Sequence, residues 1–282
     1  MKCLLAINRD SGQSIEDWDA ERLRAFLHTD YDIVDTVKFG AQSTFNLRDK
    51  ASGYDAVAVA GGDGTLNHAL NALKDTKIKL IYVPSGTLND AAVSRGKKTN
   101  GIIEFENQNI GKIGDKLFSY VAAAGSFTSI GYLAKKKSKK LFKRLTYFAL
   151  ALREYRVHRI QAKLVVDKKM YSDTYTLVMA VKSKNVFGFP FNRANDPKSQ
   201  DLHLLLIKAP ARKGFLGALQ MFFPFFRAFF IGFSKPYSSG KILFMPFRQA
   251  TIELAEPTTF TVDGERIDVP KRVSVGSYFY AG

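Results

Sequence analysis

The sequence predicts a two-domain protein, an α/β domain followed by a mostly antiparallel β domain. Three observations support this fold class. Short apolar runs alternate with helical patterns early in the chain, alternating strand-like runs dominate after about residue 105, and 46% of the 282 residues are hydrophobic, which is enough for a substantial core. We expect the α/β domain at 1–115, the β-rich domain at 116–273, and a tail at 274–282 that is able to return to the first domain.

The α/β prediction depends on three apolar runs, at 2–8, 54–60 and 79–84, which are rich in β-branched residues and end at Asn, Gly or Pro. Such runs are typical of buried parallel strands. Helical spacing at 15–27 and 66–73 follows the first two runs. Alternating strands and helices predict a parallel sheet with flanking helices and right-handed crossovers.

The second domain is predicted from segments that alternate or run apolar between Gly, Pro and Asp-Lys punctuation. These segments are 109–125, 161–183, 201–209, 241–247 and 250–262. Two stretches, 135–158 and 213–233, have helical patterns instead. The stretch at 213–233 holds eight phenylalanines and is too short between charges to span a bilayer, so it predicts either an interfacial segment or a core helix broken at Pro224.

Charge favours an anionic partner, because 42 Lys and Arg against 26 Asp and Glu leave a net charge of +16. The densest run is 135–144, which holds seven cations and fits either a solvated helix face or a membrane-docking site. Cys3 is the only cysteine, which excludes an intrachain disulfide, and the first apolar run is too short for a secretory signal. We expect a reducing, cytoplasmic environment.

The motif "GGDG" at 61–64 stands where a predicted strand meets a predicted helix. Glycines there allow phosphate to approach backbone N–H groups at a helix N-terminus. Asp63 would repel phosphate unless it binds Mg²⁺ or polarises a hydroxyl, so it suits a metal-nucleotide complex. An ordinary Asp-Gly turn is the alternative.

Two further loops repeat this arrangement. Gly86 and Thr87 follow the strand at 79–84 and enter a helix whose first turn holds Asn89 and Asp90, and "NRDSG" at 8–12 ends the first strand. Loops at the carboxyl ends of neighbouring parallel strands form the usual ligand crevice of an open α/β sheet. We therefore predict that the three loops converge.

The motifs "GGDGTLN" at 61–67, "PSGTLND" at 84–90 and "TVDGE" at 261–265 resemble those of the diacylglycerol kinase catalytic-domain superfamily, in particular its bacterial lipid kinases. Sphingosine and ceramide kinases are relatives. The resemblance implies a first domain similar to NAD kinases and phosphofructokinases, a β-sandwich-like second domain, and an active site in the cleft between them.

The resemblance also implies a set of site residues. Glu265 is the expected proton acceptor for the lipid hydroxyl, Asp263 is its rival or helper, and Asp63 lies near the phosphates and Mg²⁺. The expected ATP-binding residues are Asn8, Arg9, Asp10, Ser11, Gly12, Thr36, Gly61, Gly62, Asp63, Gly64, Thr65, Leu66, Asn67, His68, Gly86, Thr87, Asn89 and Asp90.

Family members also hold a structural Mg²⁺ around an Asp-Gly-x-Leu loop, and 197–204 stands in the corresponding place. Asp201 matches the motif, with Lys198 and His203 as sources of backbone carbonyls. Leu202 replaces the glycine and removes ready access to positive φ, which argues against the site. A solvated aspartate at the start of a strand is the alternative.

These observations predict an ATP- and Mg²⁺-dependent lipid kinase that phosphorylates diacylglycerol or a similar lipid alcohol. The alternatives are a catalytically impaired nucleotide- or lipid-binding protein, suggested by His68 in place of a common Glu, and an NAD kinase-like enzyme. The expected partners are a lipid substrate and the anionic inner face of the membrane, with a homodimer as an alternative to a monomer. Nucleic acid is not expected, because no recognition motif for it is present.

Overall fold

The computed structural model describes residues 1–11, 17–40, 45–86, 89–95, 101–105, 107–126, 157–186, 188–212 and 214–281. The chain divides into two compact units, one formed by 1–108 with 279–282 and the other by 109–278. The predicted boundary lay at 115/116, and the predicted tail, able to return to the first domain, was 274–282. The predicted helical stretch at 135–158 lies almost entirely outside the described residues.

The first unit is built on a sheet with strand order β2-β1-β3-β4-β5. Its strands are β1 (Lys2–Asn8), β2 (Ile33–Phe39), β3 (Ala56–Gly61), β4 (Lys79–Pro84) and β5 (Ile103–Phe105). Its described helices are α1 (Asp17–Leu27), α2 (Leu47–Lys50), α3 (Asp63–Ala72) and α4 (Asp90–Arg95).

The inner strands of this sheet are apolar because helices cover the sheet. Every residue of β3 is buried, and β1 pairs in parallel with both β2 and β3. The β3–β4 pair is also parallel, whereas β5 is antiparallel to β4. The chain moves from β1 to β2 on one side and places β3 on the other, so the strand order reverses at β1, which is where such sheets bind ligands.

The second unit is largely antiparallel. Its main strand order is β12-β13-β11-β10-β9-β14-β17-β6-β7, and β8, β15 and β16 branch from it. The strands are β6 (Gln108–Ile113), β7 (Lys116–Phe118), β8 (Val121–Gly125), β9 (Ile160–Val166), β10 (Lys169–Val181), β11 (Leu202–Lys208), β12 (Tyr237–Ser238), β13 (Ile242–Phe247), β14 (Gln249–Leu254), β15 (Thr258–Val262), β16 (Glu265–Val269) and β17 (Arg272–Tyr280).

Strand β10 is central to this unit, because its 13 residues are long enough to pair with two strands in succession along one edge. Its first half pairs with β9 and its second half with β8, while β11 pairs along the other edge. Leu164, Leu204 and Phe260 lie in the resulting apolar core. The predicted fold class, a parallel α/β domain followed by a mostly antiparallel one, is confirmed.

Helix α5 (Gly214–Phe226) contains Pro224 and continues into a π-helical turn at Arg227–Ile231. Met221, Phe225 and Ala228 are buried. Arg227 lies over the rings of Phe233 and Tyr237, at 4.6 and 4.7 Å from their centroids. The predicted helix is therefore present and continues past the proline. No helix within the described ranges is long and apolar enough to cross a bilayer.

Candidate nucleotide-binding loops and second-unit motifs

Asn8, the last residue of β1, joins the first loop to helix α3. Its Nδ2 donates to Thr65 Oγ1 at 2.8 Å, and its Oδ1 accepts from the backbone N–H of Asp10 at 3.0 Å. The hydroxyl oxygens of Ser11 and Ser85 lie 3.2 Å apart. Because Thr65 follows β3 and Ser85 follows β4, the loop after β1 contacts both neighbouring loops.

The turn at 61–64 brings the backbone close to helix α3. A Cβ atom added to Gly61 would lie 2.3 Å from Thr65 Oγ1, so a larger residue would not fit without displacing the helix. Gly62 is the N-cap of α3 and has no side chain to bond the first N–H groups. Helix N-termini favour anions, which is the reason for the predicted phosphate site at this turn.

Asp63 holds the start of helix α4. Its Oδ2 accepts from the backbone N–H of Asp90 at 3.0 Å, and its Oδ1 accepts from the N–H of Ala91 at 3.1 Å. These bonds satisfy two of the first N–H groups of α4 and place a negative charge at its N-terminus. Asp63 was predicted to lie near phosphate and Mg²⁺, and its bonds between two loops 27 residues apart were not predicted.

The loops after β3 and β4 also pack backbone against backbone. A Cβ atom on Gly86 would lie 2.4 Å from the Cα of Gly62. Asn89, at φ +52°, closes the second loop because its Oδ1 accepts from Gly86 N–H and its Nδ2 donates to Gly86 O, both at 2.9 Å. The predicted convergence of three loops is therefore present within the first unit.

The remaining predicted ATP-binding residues differ in exposure. Arg9, Asp10, Thr36 and His68 are exposed, and Thr36 lies in the middle of β2 beside Leu5 of β1. Leu66 and Asn67 are buried in α3. Gly12 and Thr87 lie outside the described residues.

Asp263 is a buried part of the turn between β15 and β16. It is 2% exposed and adopts φ +47°. Its Oδ1 accepts from the N–H groups of Tyr120 and Val121 at 3.0 and 2.9 Å, and its Oδ2 accepts from the hydroxyl of Ser119 at 2.8 Å and from that residue's N–H. Burial raises the pKa of Asp263, and these donors oppose that effect.

Glu265 differs from Asp263 although only Gly264 separates them. It is the first residue of β16 and its side chain is exposed. An exposed carboxylate is able to meet a hydroxyl group that arrives from outside, whereas a carboxylate enclosed by four donors is not. The two candidate bases of the sequence analysis therefore stand in opposite environments.

The predicted structural metal site does not fit Mg²⁺. The carboxylate of Asp201 accepts from Arg248 Nε at 2.8 Å, and the carbonyl of Lys198 accepts from Asn109 Nδ2 at 3.4 Å. The ring of His203, whose backbone carbonyl was the predicted ligand, is stacked on Phe244, and burial lowers its pKa to about 4, with the positive charge of Lys182 contributing and Asp201 opposing. Among the described residues, no group of three or more His, Cys, Asp or Glu side chains could hold a metal ion.

A Mg²⁺ ion that travels with a nucleotide has a different requirement, because it needs only one or two carboxylates besides the phosphates. The converging loops offer Asp63, whose carboxylate bonds the start of α4, and Asp10, which is exposed. Both oxygens of Asp63 already accept backbone N–H groups, so Asp10 is the better candidate of the two. Such an ion would neutralise phosphate charge when it is bound.

Comparison with known proteins supports the family resemblance that the motifs suggest. Residues 2–113 match the family model of the diacylglycerol kinase catalytic domain. The chain is 26% identical over 183 residues to a diacylglycerol kinase of Staphylococcus saprophyticus, covering 61% of this chain and 60% of that protein. It is 26% identical over 148 residues to a diacylglycerol kinase of Bacillus subtilis, covering 48% and 49%. The matched segments thus span about half to three fifths of these relatives.

The fold is also similar to a solved structure. A crystal structure of a diacylglycerol kinase from Bacillus anthracis superposes with a TM-score of 0.69 at 18% identity, covering 99% of this chain and 94% of that chain. At this identity the likeness concerns the fold. Together with the family match over the first unit, it confirms the predicted resemblance to the diacylglycerol kinase superfamily.

Proposed function

We propose that this protein, whose first unit carries the diacylglycerol kinase catalytic-domain match, is a lipid kinase. It transfers the γ-phosphate of ATP to the hydroxyl of diacylglycerol or a similar lipid alcohol. The observation that carries the proposal is the convergence of three loops at the point where the sheet order reverses. Asn8, Asp63 and the Gly62–Gly86 contact hold these loops together.

In this proposal the phosphates of ATP bind at the N-terminus of α3. The N-terminus after Gly62 supplies backbone N–H groups there, and Asn8 fixes the side chain of Thr65 in the first turn. Asp63 acts mainly as a positioning residue, because its oxygens hold α4 and thereby the second loop. Phosphoryl transfer depends on such positioning, since the protein does little covalent chemistry itself.

We assign the base to Glu265 rather than Asp263. Its exposed carboxylate would accept the proton of the lipid hydroxyl while the hydroxyl oxygen bonds to the γ-phosphorus and the bond to the β-phosphate oxygen breaks, releasing ADP. Asp263 positions Glu265 indirectly, because its four hydrogen bonds fix the turn that precedes β16, and Glu265 is the first residue of that strand.

The second unit offers a surface suited to an anionic membrane. Seven large apolar side chains of α5 and its π-helical turn are exposed: Leu216, Leu219, Phe222, Phe223, Phe226, Phe230 and Ile231. Five of them recur at spacings of three and four and form one stripe along the helix. Phe223 is the most exposed, at 75%. An exposed apolar stripe of this length is typical of interfacial helices.

The charge of the sequence on either side of this helix favours an anionic surface. No Asp or Glu occurs between Asp201 and Glu253, whereas seven cations do: Lys208, Arg212, Lys213, Arg227, Lys235, Lys241 and Arg248. Arg212, Lys235 and Lys241 are exposed. Basic residues beside an apolar face bind anionic lipid headgroups. We therefore propose that the protein acts in the cytoplasm, bound peripherally to the inner face of the membrane.

The kinase proposal is tested by transfer of labelled phosphate from ATP and Mg²⁺ to lipid alcohols in mixed micelles. We expect the wild type to label diacylglycerol or another lipid alcohol and Glu265→Gln to lose at least about a hundredfold in rate. The exposed Asp268→Asn, three residues away on β16, is the matched control. Labelling of NAD in place of every lipid would favour the NAD kinase-like alternative, and ATP binding without transfer would favour a binding protein.

The membrane proposal is tested by sedimentation with phosphatidylglycerol vesicles and with phosphatidylcholine vesicles. The double variant Leu219→Ser, Phe223→Ser should bind anionic vesicles about tenfold less tightly. Met170→Ser is the control, because Met170 is an exposed apolar residue on β10 of the same unit. Equal binding by the double variant and the control would contradict the assignment of this surface.

A further inference from the structure

Lys182 is a buried cation that the kinase proposal does not use. It directly follows β10, and only 2% of the residue is exposed. Its backbone N–H donates to the carbonyl of Tyr120 at 2.9 Å, which fixes the residue at the end of the strand. A lysine is almost never fully buried unless its ammonium group is paired, so its partners indicate its role.

Those partners are backbone carbonyls of the loop that precedes β11. The ammonium group donates to the carbonyl of Asp201 at 3.1 Å and to that of Ser199. Short-range bonds also hold the loop, with Lys198 N–H donating to Asp196 Oδ1 at 2.9 Å and Asp201 N–H donating to Ser199 Oγ at 3.0 Å. The side chains of Asn109 and Arg248 bond it from other segments. Lys182 therefore ties this loop to the end of β10 from inside the unit.

This loop is also the segment in which the family resemblance implies a structural Mg²⁺. Carbonyl oxygens are ligands for a hard cation and acceptors for an ammonium group alike. The Asp201 carboxylate, which a metal would need, bonds Arg248 instead. Arg248 thus uses the carboxylate that the metal would take, and Lys182 uses two other oxygen atoms of the same loop, the carbonyls of Ser199 and Asp201.

We propose that the Lys182 ammonium replaces the structural divalent cation in this protein and holds the loop at 196–201 against β10. The ammonium group holds the loop through two carbonyls without a metal ion, while the Asp201 carboxylate that a metal would need bonds Arg248. The second unit then needs no metal to fold. This inference stands apart from the kinase proposal, because it concerns the folding of the second unit and not catalysis.

The first test is the thermal unfolding of the wild-type full-length chain, without nucleotide, in EDTA and in millimolar MgCl₂. We expect the two midpoints to agree within about 1 °C. A midpoint that falls in EDTA, recovers with Mg²⁺ and loses this response in Asp201→Asn would overturn the proposal. This test does not depend on any variant of Lys182 and remains decisive if such a variant fails to fold.

The second test removes the ammonium group and keeps the apolar stem. Lys182→Met should lower the midpoint by about 5 °C or more, because two partly buried carbonyls lose their donor. Lys184→Met is the matched control, since Lys184 is an exposed lysine two residues away. If Lys182→Met unfolds at the same temperature as Lys184→Met, the ammonium does not hold the loop and the proposal is wrong.

Discussion

Asp63 and Asp263 each stand in an Asp-Gly dipeptide after a strand, and each carboxylate captures backbone N–H groups from a distant segment. Asp63 accepts two such bonds from the start of α4 and is partly exposed. Asp263 accepts from three N–H groups and a hydroxyl and is 2% exposed. The two aspartates differ in their environment, since only Asp63 lies at the N-terminus of a helix, α3, whose N-cap makes no side-chain hydrogen bond.

The comparison teaches that an acidic residue in a motif has to be judged by its bonded partners. Both aspartates were candidates for chemistry on sequence grounds, and both join segments of their own unit. A carboxylate whose oxygens are filled by buried donors contributes mainly to structure, because ligand contact would cost it those bonds. By this criterion Asp263 is structural. Asp63 also bonds backbone N–H groups, but it lies at the helix N-terminus where we propose that ATP binds.

The largest effect should come from Asp263→Asn. The new NH₂ group would face donors instead of accepting from them, and we expect the free energy of unfolding to fall by about 3 kcal/mol. Guanidinium unfolding followed by circular dichroism measures the change. Asp268→Asn on the neighbouring strand should stay within about 0.5 kcal/mol of the wild type. Similar values for both variants would remove the structural role given to Asp263.

Gly86→Ala should have the next largest effect, because its Cβ would lie 2.4 Å from the Cα of Gly62 and push the two loops apart. We expect a loss of about 2 kcal/mol in stability and weaker ATP binding. Equilibrium unfolding and titration with a fluorescent ATP analogue measure the two quantities. Gly240→Ala is the control, since nothing lies within 4 Å of its added Cβ. If Gly86→Ala binds ATP as tightly as the wild type, the contact between the two loops is not needed for nucleotide binding.

Asp63→Asn should cost about 1–2 kcal/mol, less than Asp263→Asn, because fewer donors are involved and water reaches the site. Its expected signature is a loss of phosphate transfer out of proportion to the loss of stability. Parallel measurements of kcat/KM and unfolding check this, with the exposed Asp30→Asn as the control. A rate that falls only as far as the folded fraction falls would make Asp63 as purely structural as Asp263.

The smallest effect on stability is expected for Glu265→Gln, within about 0.5 kcal/mol, because the side chain is exposed. The same variant should nevertheless abolish most phosphate transfer. Unfolding and transfer assays on one preparation measure both. A large loss of stability would place Glu265 with Asp263 among the structural carboxylates of this turn.

Much of the first unit could be predicted because its signals are local. The bounds of β1 and β4 match the predicted runs, and β3 differs by one or two residues at each end. Strand β2 was missed, since only Val34 is fully buried in it and its polar residues hide the strand pattern. Helix α5 was predicted, but its passage through Pro224 into a π-helical turn was not.

The bonding partners of the site could not be predicted, because they join segments far apart in the chain. The motif at 61–64 indicated a phosphate-binding turn, yet nothing local indicated that Asp63 bonds Asp90 and Ala91. Lys182 was missed for a related reason. A lysine at the end of an apolar run usually reaches solvent, and only the folded loop at 196–201 supplies its acceptors.

The hydrogen bonds of Asp263 also bear on the order in which the protein forms during translation. They join residues 142 to 144 positions apart, so the segment at 119–121 is synthesised long before its acceptor leaves the ribosome. Strand β8, which begins at Val121, pairs with both β10 and β15. Its pairing with β15 can form only after the last part of this unit has been synthesised. Long-range closure of this kind slows folding. A nascent chain halted before residue 263 would expose the unpaired N–H groups at 119–121 to chaperones and proteases.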